Sequence, residues 1–124
     1  MKELSKIHPI EIYGIWLEVV VCDNFNIACS KPERVKRLGR PNQIDITDAT
    51  ALAACNKRDF CIYLRRGFIQ HELIAHEVFH TTIHMLDWIN QMIDPNNHEH
   101  AAHLNGYLTD LVYNDLHNWK IQIK

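Results

Sequence analysis

The strongest demand this chain makes is for one long, uninterrupted helix. From Gln70 to Met92 the apolar residues Leu73, Ile74, Val78, Ile83, Met85, Leu86, Ile89 and Met92 recur mostly at three- and four-residue steps, and no Pro or Gly breaks them. Within this pattern lies His76-Glu77-Val78-Phe79-His80. Residues four apart on a helix stand one turn above each other on the same face, so His76 and His80 can offer two imidazoles to one metal ion. Glu77 follows the first of them directly, where its carboxylate can take a proton from metal-bound water. Zinc suits this arrangement because it accepts nitrogen and carboxylate ligands and makes water ionisable near neutral pH. The competing explanation is a chance match in a chain with nine histidines. Seven of the nine fall between His71 and His103, as expected for a polar site built from two helices.

With 124 residues the chain is expected to form a single domain, 1–124, with one core, and its 47% hydrophobic content is that of a globular protein. The net charge of −2 exerts no general pull on nucleic acid or on a membrane. The charge is nevertheless uneven. Residues 1–70 carry eleven Lys/Arg against eight Asp/Glu, whereas residues 71–124 carry two against seven. The half with the histidines is therefore acidic, which favours a bound cation there. No long apolar run follows the charges of Met1 to Lys6, and no segment is long enough to span a bilayer. These features point to a cytoplasmic protein. On that compartment argument Cys22, Cys29, Cys55 and Cys61 are expected as thiols rather than as disulfides or a second zinc site.

The chain is expected to be α+β. Glu11 to Asp23 is rich in Ile, Val, Tyr and Trp and reads as a strand, with Val19-Val20-Val21 implying burial on both faces and a central place in a sheet. A short helix is expected to start near Ser30, capped by Ser30 with Pro32 in its first turn, before the break at Gly39-Arg40-Pro41-Asn42. Lys31, Arg34, Lys36, Arg37 and Arg40 form a basic run without interleaved aromatics, so a solvated face is favoured over a phosphate-binding one. Thr47-Asp48 marks a turn or cap. Leu52–Cys55 and Phe60–Arg65 then form a hairpin through Asn56–Asp59, with Phe60, Ile62 and Leu64 on one face and Cys61, Tyr63 and Arg65 on the other. If the second of these strands is an edge, its free backbone groups offer strand addition to an extended peptide. After the stop at Asp94-Pro95-Asn96-Asn97, a second helix runs from His98 to about Trp119, capped by Asn96 or Asn97. Its small residues Ala102 and Gly106 would permit close approach of another helix.

A catalytic zinc commonly has three protein ligands and one open position. His84 lies about 12 Å beyond His76 along the same helix and is too far to complete the set. The candidates on the second helix are Glu99, His98, His100 and His103, with His103 able to replace Glu99 or to polarise a substrate oxygen.

The combination of His76-Glu77-Val78-Phe79-His80 with Glu99 through Thr109 resembles small zincin-like proteins encoded by bacteriophages, and Tyr13-Gly14 with Val20-Val21-Cys22-Asp23 is similar to the strand that opens their domain. The likeness covers most of the chain and is strongest after Ile74. It implies a minimal zincin-like domain, with a small, mostly antiparallel sheet packed on the active-site helix and a C-terminal helix. It also implies residence in the host cytoplasm, Zn2+ as cofactor, His76, His80 and Glu99 as metal ligands, and Glu77 as general base. Where that family commonly carries an aromatic residue, this chain has His103. The activity it implies is a zinc metallopeptidase acting on a peptide or protein substrate. The alternative is a zinc-stapled interaction module that cuts nothing.

Overall fold

The structure, a computed structural model, describes residues 2–39 and 49–124. Four strands and four helices follow one another as β1 (Leu4–Ile10), β2 (Ile15–Cys22), α1 (Phe25–Cys29), α2 (Pro32–Leu38), β3 (Ala51–Asn56), β4 (Asp59–Arg65), α3 (His71–Trp88) and α4 (Glu99–Asn118). The fold is α+β: one four-stranded mixed sheet in the order β1-β2-β4-β3, with helices on both faces. The pairs β1–β2 and β3–β4 are antiparallel, and β2–β4 is parallel.

The valine run earns its inner position. Val19, Val20 and Val21 are fully buried between two layers: Val19 and Val21 face the α3/α4 side and Val20 faces the α1 side. Such side chains contribute roughly 1.5–3 kcal/mol each by leaving water. The expected strand was too long at its start, because residues 11–14 form a turn closed by Tyr13 N–H to Ile10 O and Gly14 N–H to Glu11 O. Gly14 carries φ +64°, a conformation other residues adopt only with strain. The strand before that turn, β1, was not expected. It contains Pro9, which removes a ladder donor but is tolerated because, among the described residues, β1 pairs only with β2.

Beyond β2, Asn24 caps α1 by accepting a hydrogen bond from Ile27 N–H at 3.1 Å. Ser30 is the C-cap of α1, not the N-cap of α2, whose N-cap Lys31 makes no side-chain cap bond. Pro32 stands in the first turn of α2, as its missing N–H allows. The break expected at Gly39–Asn42 continues, from Arg40 onward, outside the described residues, as do Arg40 itself and the Thr47-Asp48 turn.

The hairpin is present with a tighter turn at Lys57-Arg58, and β4 alternates as expected, Phe60, Ile62 and Leu64 toward α3 and α4, Cys61 and Tyr63 toward α1. However, β4 lies between β2 and β3, so the edge beside α3 is β3 rather than β4. The basic run also departs from a simple solvated face. Arg34 is 4% exposed and donates to both carboxylate oxygens of Glu18, to both of Glu3 and to Ala28 O. Arg37 adds a 2.7 Å bond to Glu18. Glu18, the charge that interrupts the apolar run of β2, is the reason: a carboxylate inside the sheet draws a guanidinium over it.

Three thiols, Cys22, Cys29 and Cys61, are buried and Cys55 is exposed; all four are free. Among the described residues no helix is long and apolar enough to cross a membrane.

Candidate functional site

The helical layer positions the site. Ile74, Glu77, Val78, Thr81, Thr82, Met85 and Leu86 form the buried face of α3. The helix ends where Asn90 takes φ +59°, with Gln91 N–H bonded to Leu86 O and Asn90 N–H to Asp87 O. The chain then turns at Asp94–Asn97, where Asn96 N–H meets the Asp94 carboxylate at 2.7 Å. The helix α4 follows with His98 at its N-cap, and neither Asn96 nor Asn97 holds that place. Leu104, Leu108, Val112 and Leu116 bury its inner face. Gly106 and Ala102 are exposed and a Cβ on Gly106 would meet open space, so small residues do not set the helix spacing.

Two polar contacts fix how α3 and α4 lie against each other. Thr82 donates to Asn105 Oδ1 at 3.0 Å, and the His71 ring meets the Tyr113 hydroxyl at 2.7 Å. The helices are therefore antiparallel. A third contact, His8 to the buried Asp115 carboxylate at 2.6 Å, ties α4 to β1.

On the outer side of α3 the expected pair comes together. The Nε2 atoms of His76 and His80 stand 3.0 Å apart with the rings edge to face. Two imidazoles on a tetrahedral zinc, with Zn–N of about 2.0–2.1 Å, place their nitrogens about 3.3 Å apart. The pair thus fits a shared ion almost as it stands. The same spacing fits a hydrogen bond in which one ring donates Nε2–H to the other. His76 is well exposed, its side chain 62% accessible, so an ion can reach it.

Glu77 belongs to the buried side of α3 and is only 6% exposed. Its Oε1 lies 3.9 Å from His76 Nε2, and its buried Oε2 has no hydrogen-bond partner among the described residues. Burial pushes its carboxyl above the usual carboxylate range, although the positive field of His76 and His80 opposes the rise. Glu77 and His80 open onto a groove of about 280 Å³ whose other wall is Ala51-Leu52-Ala53 of the edge strand β3.

His84 also lines this groove, its ring stacked 6.5 Å from that of His80. Its distance from His76 keeps it from that ion, but it belongs to the same groove wall. The signal was present in the four-residue step from His80, which puts both on one stripe.

Glu99 and His103 are brought to each other, not to the pair. Both side chains are about four-fifths exposed, 82% and 79%, and they meet at 3.3 Å one turn apart on α4. The antiparallel register set by Thr82–Asn105 and His71–Tyr113 places Glu99 level with the last turn of α3. That is about 12 Å along the axis from His80. The expectation that the first turn of α4 would reach the metal assumed that a short loop brings Glu99 opposite the pair, whereas α3 continues two turns beyond His80 before the loop begins. Among the described residues no three His, Cys, Asp or Glu side chains converge on one point. His103 lies instead in a cavity between α4 and residues 9–13, away from the groove that Glu77 lines.

No protein family, curated protein or solved structure matches the chain.

Proposed function

We propose that the protein is a zinc-dependent hydrolase that cleaves peptide bonds in an extended substrate lying in the groove between α3 and β3. The observation that carries this reading is the buried, unpartnered oxygen of Glu77 next to the His76–His80 pair. His76 and His80 would hold the ion through their Nε2 atoms. Bound there, zinc would supply Lewis acidity and a water that ionises near neutral pH. Glu77 would accept the proton of the attacking water and pass it to the departing amine; the raised affinity for protons that burial confers makes it a stronger base than a free carboxylate. The side of β3 that pairs with no other strand among the described residues would align the peptide backbone by strand addition. Peptide as the substrate class, and the zincin-like, phage-borne character of the domain, rest on the resemblance of the motif and of Glu99–Thr109.

The zinc staple is the rival, and the geometry disfavours it for a simple reason. Both imidazoles belong to α3, so an ion held by them alone ties no two elements together. A staple also has no use for a carboxyl kept buried without a partner.

The experiment is a peptide-library digest read by mass spectrometry, with zinc-loaded wild type beside Glu77→Gln. Wild type should cleave, and Glu77→Gln should retain zinc yet lose turnover by at least a hundredfold. Equal turnover by both proteins removes Glu77 from the mechanism, and no cleavage by either with zinc bound returns the site to the staple. Zinc affinity of Glu99→Ala addresses the third ligand. An affinity within twofold of wild type keeps Glu99 out of the site, whereas a loss of tenfold or more would make it a ligand.

A further inference from the structure

The outer sides of α3 and α4 repeat one pattern. On α3, His76, Phe79, His80 and Ile83 are exposed at positions i, i+3, i+4 and i+7, a stripe opposite the buried face. On α4, Glu99, Ala102, His103 and Gly106 are exposed at the same spacing. Each stripe carries two ligating side chains one turn apart, with two apolar or small residues beside them. The ligating atoms already stand near the separation that a shared zinc ion requires. It is 3.0 Å between the Nε2 atoms of His76 and His80 and 3.3 Å between Glu99 Oε1 and His103 Nε2, against about 3.3 Å for neighbouring ligands of a tetrahedral ion.

Because α3 and α4 are antiparallel, the two pairs sit at opposite ends of this outer face. Within one chain they are about 15 Å apart, about 12 Å along the helices and one helix spacing across. One ion cannot take both pairs, and an ion held by either pair alone lacks half of a tetrahedral set. A second copy removes the mismatch. Turned face to face about a two-fold axis that lies in this surface midway between the pairs, each copy offers Glu99 and His103 to the other's His76 and His80. From this we infer that zinc joins two copies of the chain through the outer face of α3 and α4, in two equivalent sites with His76 and His80 from one copy and Glu99 and His103 from the other.

The surface between the pairs suits such a contact. Phe79, 58% exposed, and Ile83 project from α3, while Ala102 is small and a Cβ on Gly106 would meet open space, so α4 leaves room for side chains of a second copy. Charge makes the contact depend on metal. The half of the chain that contains both helices, residues 71–124, carries two Lys/Arg against seven Asp/Glu, so two such faces repel until cations are placed between them. The inference rests on the reading that His76 and His80 hold zinc. It makes the dimer the closed form of that site, because the partner's side chains fill the positions that water and substrate would use.

The test is sedimentation velocity of the full chain, with bound zinc measured by elemental analysis. Metal-free protein should sediment as a monomer. One equivalent of zinc should convert it to a dimer that holds two ions and grows no further, since a two-fold interface closes on itself. His76→Ala/His80→Ala and Glu99→Ala/His103→Ala, all at exposed positions, should each remain monomeric with zinc. Mixed in equal amounts, the two variants should form a heterodimer with one zinc ion, because each retains the pair that the other lacks. The zinc affinity of Glu99→Ala should match wild type in dilute protein and fall about tenfold or more where wild type is dimeric, a concentration dependence that a ligand from the same chain does not produce. A dimer that forms equally well without metal, a mixture of variants that stays monomeric while wild type dimerises, or association that continues past two copies would overturn the inference. Zinc bound by a monomer at every concentration would overturn it and leave the hydrolase reading standing, and absence of zinc binding would end both. Zinc-bridged dimers from a protein that cleaves no peptide at any concentration would support the inference and sink the hydrolase reading.

Discussion

Replacing Glu77 with methionine in metal-free protein should stabilise the fold, although it destroys the proposed catalytic base. The two side chains are of similar length and volume, so the packing under α3 changes little. What changes is the polarity of a site that is 6% exposed. The buried Oε2 has no partner among the described residues, and an unmade hydrogen bond of this kind costs about 1–3 kcal/mol. For a chain of this size that corresponds to a rise in Tm of about 4 °C per kcal/mol. The gain should also depend on pH. Burial raises the Glu77 carboxyl above its unfolded value, so between the two values the folded protein binds a proton that the unfolded chain does not. The stability linked to that proton is fully present below the unfolded value and is lost as pH rises through the folded one. Wild type and Glu77→Met should therefore lie close together at pH 4 and diverge toward pH 7–8. Urea unfolding in the presence of a chelator, at four pH values between 4 and 8, measures this directly. A methionine variant less stable than wild type at pH 7, or a difference that does not widen with pH, would refute the picture of Glu77 as an uncompensated buried acid.

Arg34→Met should lose about 1.5–3 kcal/mol in urea unfolding, because it leaves the buried Glu18 carboxylate with its bond from Arg37 alone; a loss under about 1 kcal/mol would mark the cluster as a solvent-screened surface pair. Glu3 should make the fold acid-sensitive. Burial pushes its carboxyl up, but hydrogen bonds from Arg34 and Lys31 outweigh that and hold it below its ordinary value of 4.5. Its contribution is present above that value and is lost as pH falls through the lowered one, so Glu3→Gln should flatten the acid limb of the stability profile, and an unchanged limb would exclude it. In the native protein a thiol reagent such as Ellman's should modify Cys55 first. Cys22, whose thiol burial pushes up to about 12, Cys29 and the fully buried Cys61 should react only at the rate of unfolding, as mass mapping of the modified peptides can check.

The elements whose periodicity is strong were legible before any coordinates. The place of α3, which ends at Trp88 rather than running on to Met92, the valine run inside the sheet and the in-out alternation of β4 each follow from side chains that have to leave water on a definite face. Local chemistry was less transparent where several residues could do one task. Ser30, expected as the N-cap of α2, closes α1 instead, because a further short helix capped by Asn24 begins directly after β2. Pro9 disguised β1, since a proline argues against a strand until its place at an edge is known.

The proposed site divides along the same line. The 3.0 Å approach of His76 and His80 is a property of helix geometry, and a four-residue step within one unbroken helix is enough to specify it. The burial of Glu77, the facing of Ala51–Ala53 across the groove and the separation of Glu99 from the pair depend on how α3 lies on the sheet and against α4. No local pattern encodes these relations. They are set by the register of contacts between residues as far apart as Thr82 and Asn105, or His8 and Asp115, and sliding one helix by a turn past another changes every cross-helix neighbour while leaving each helix's own periodicity intact.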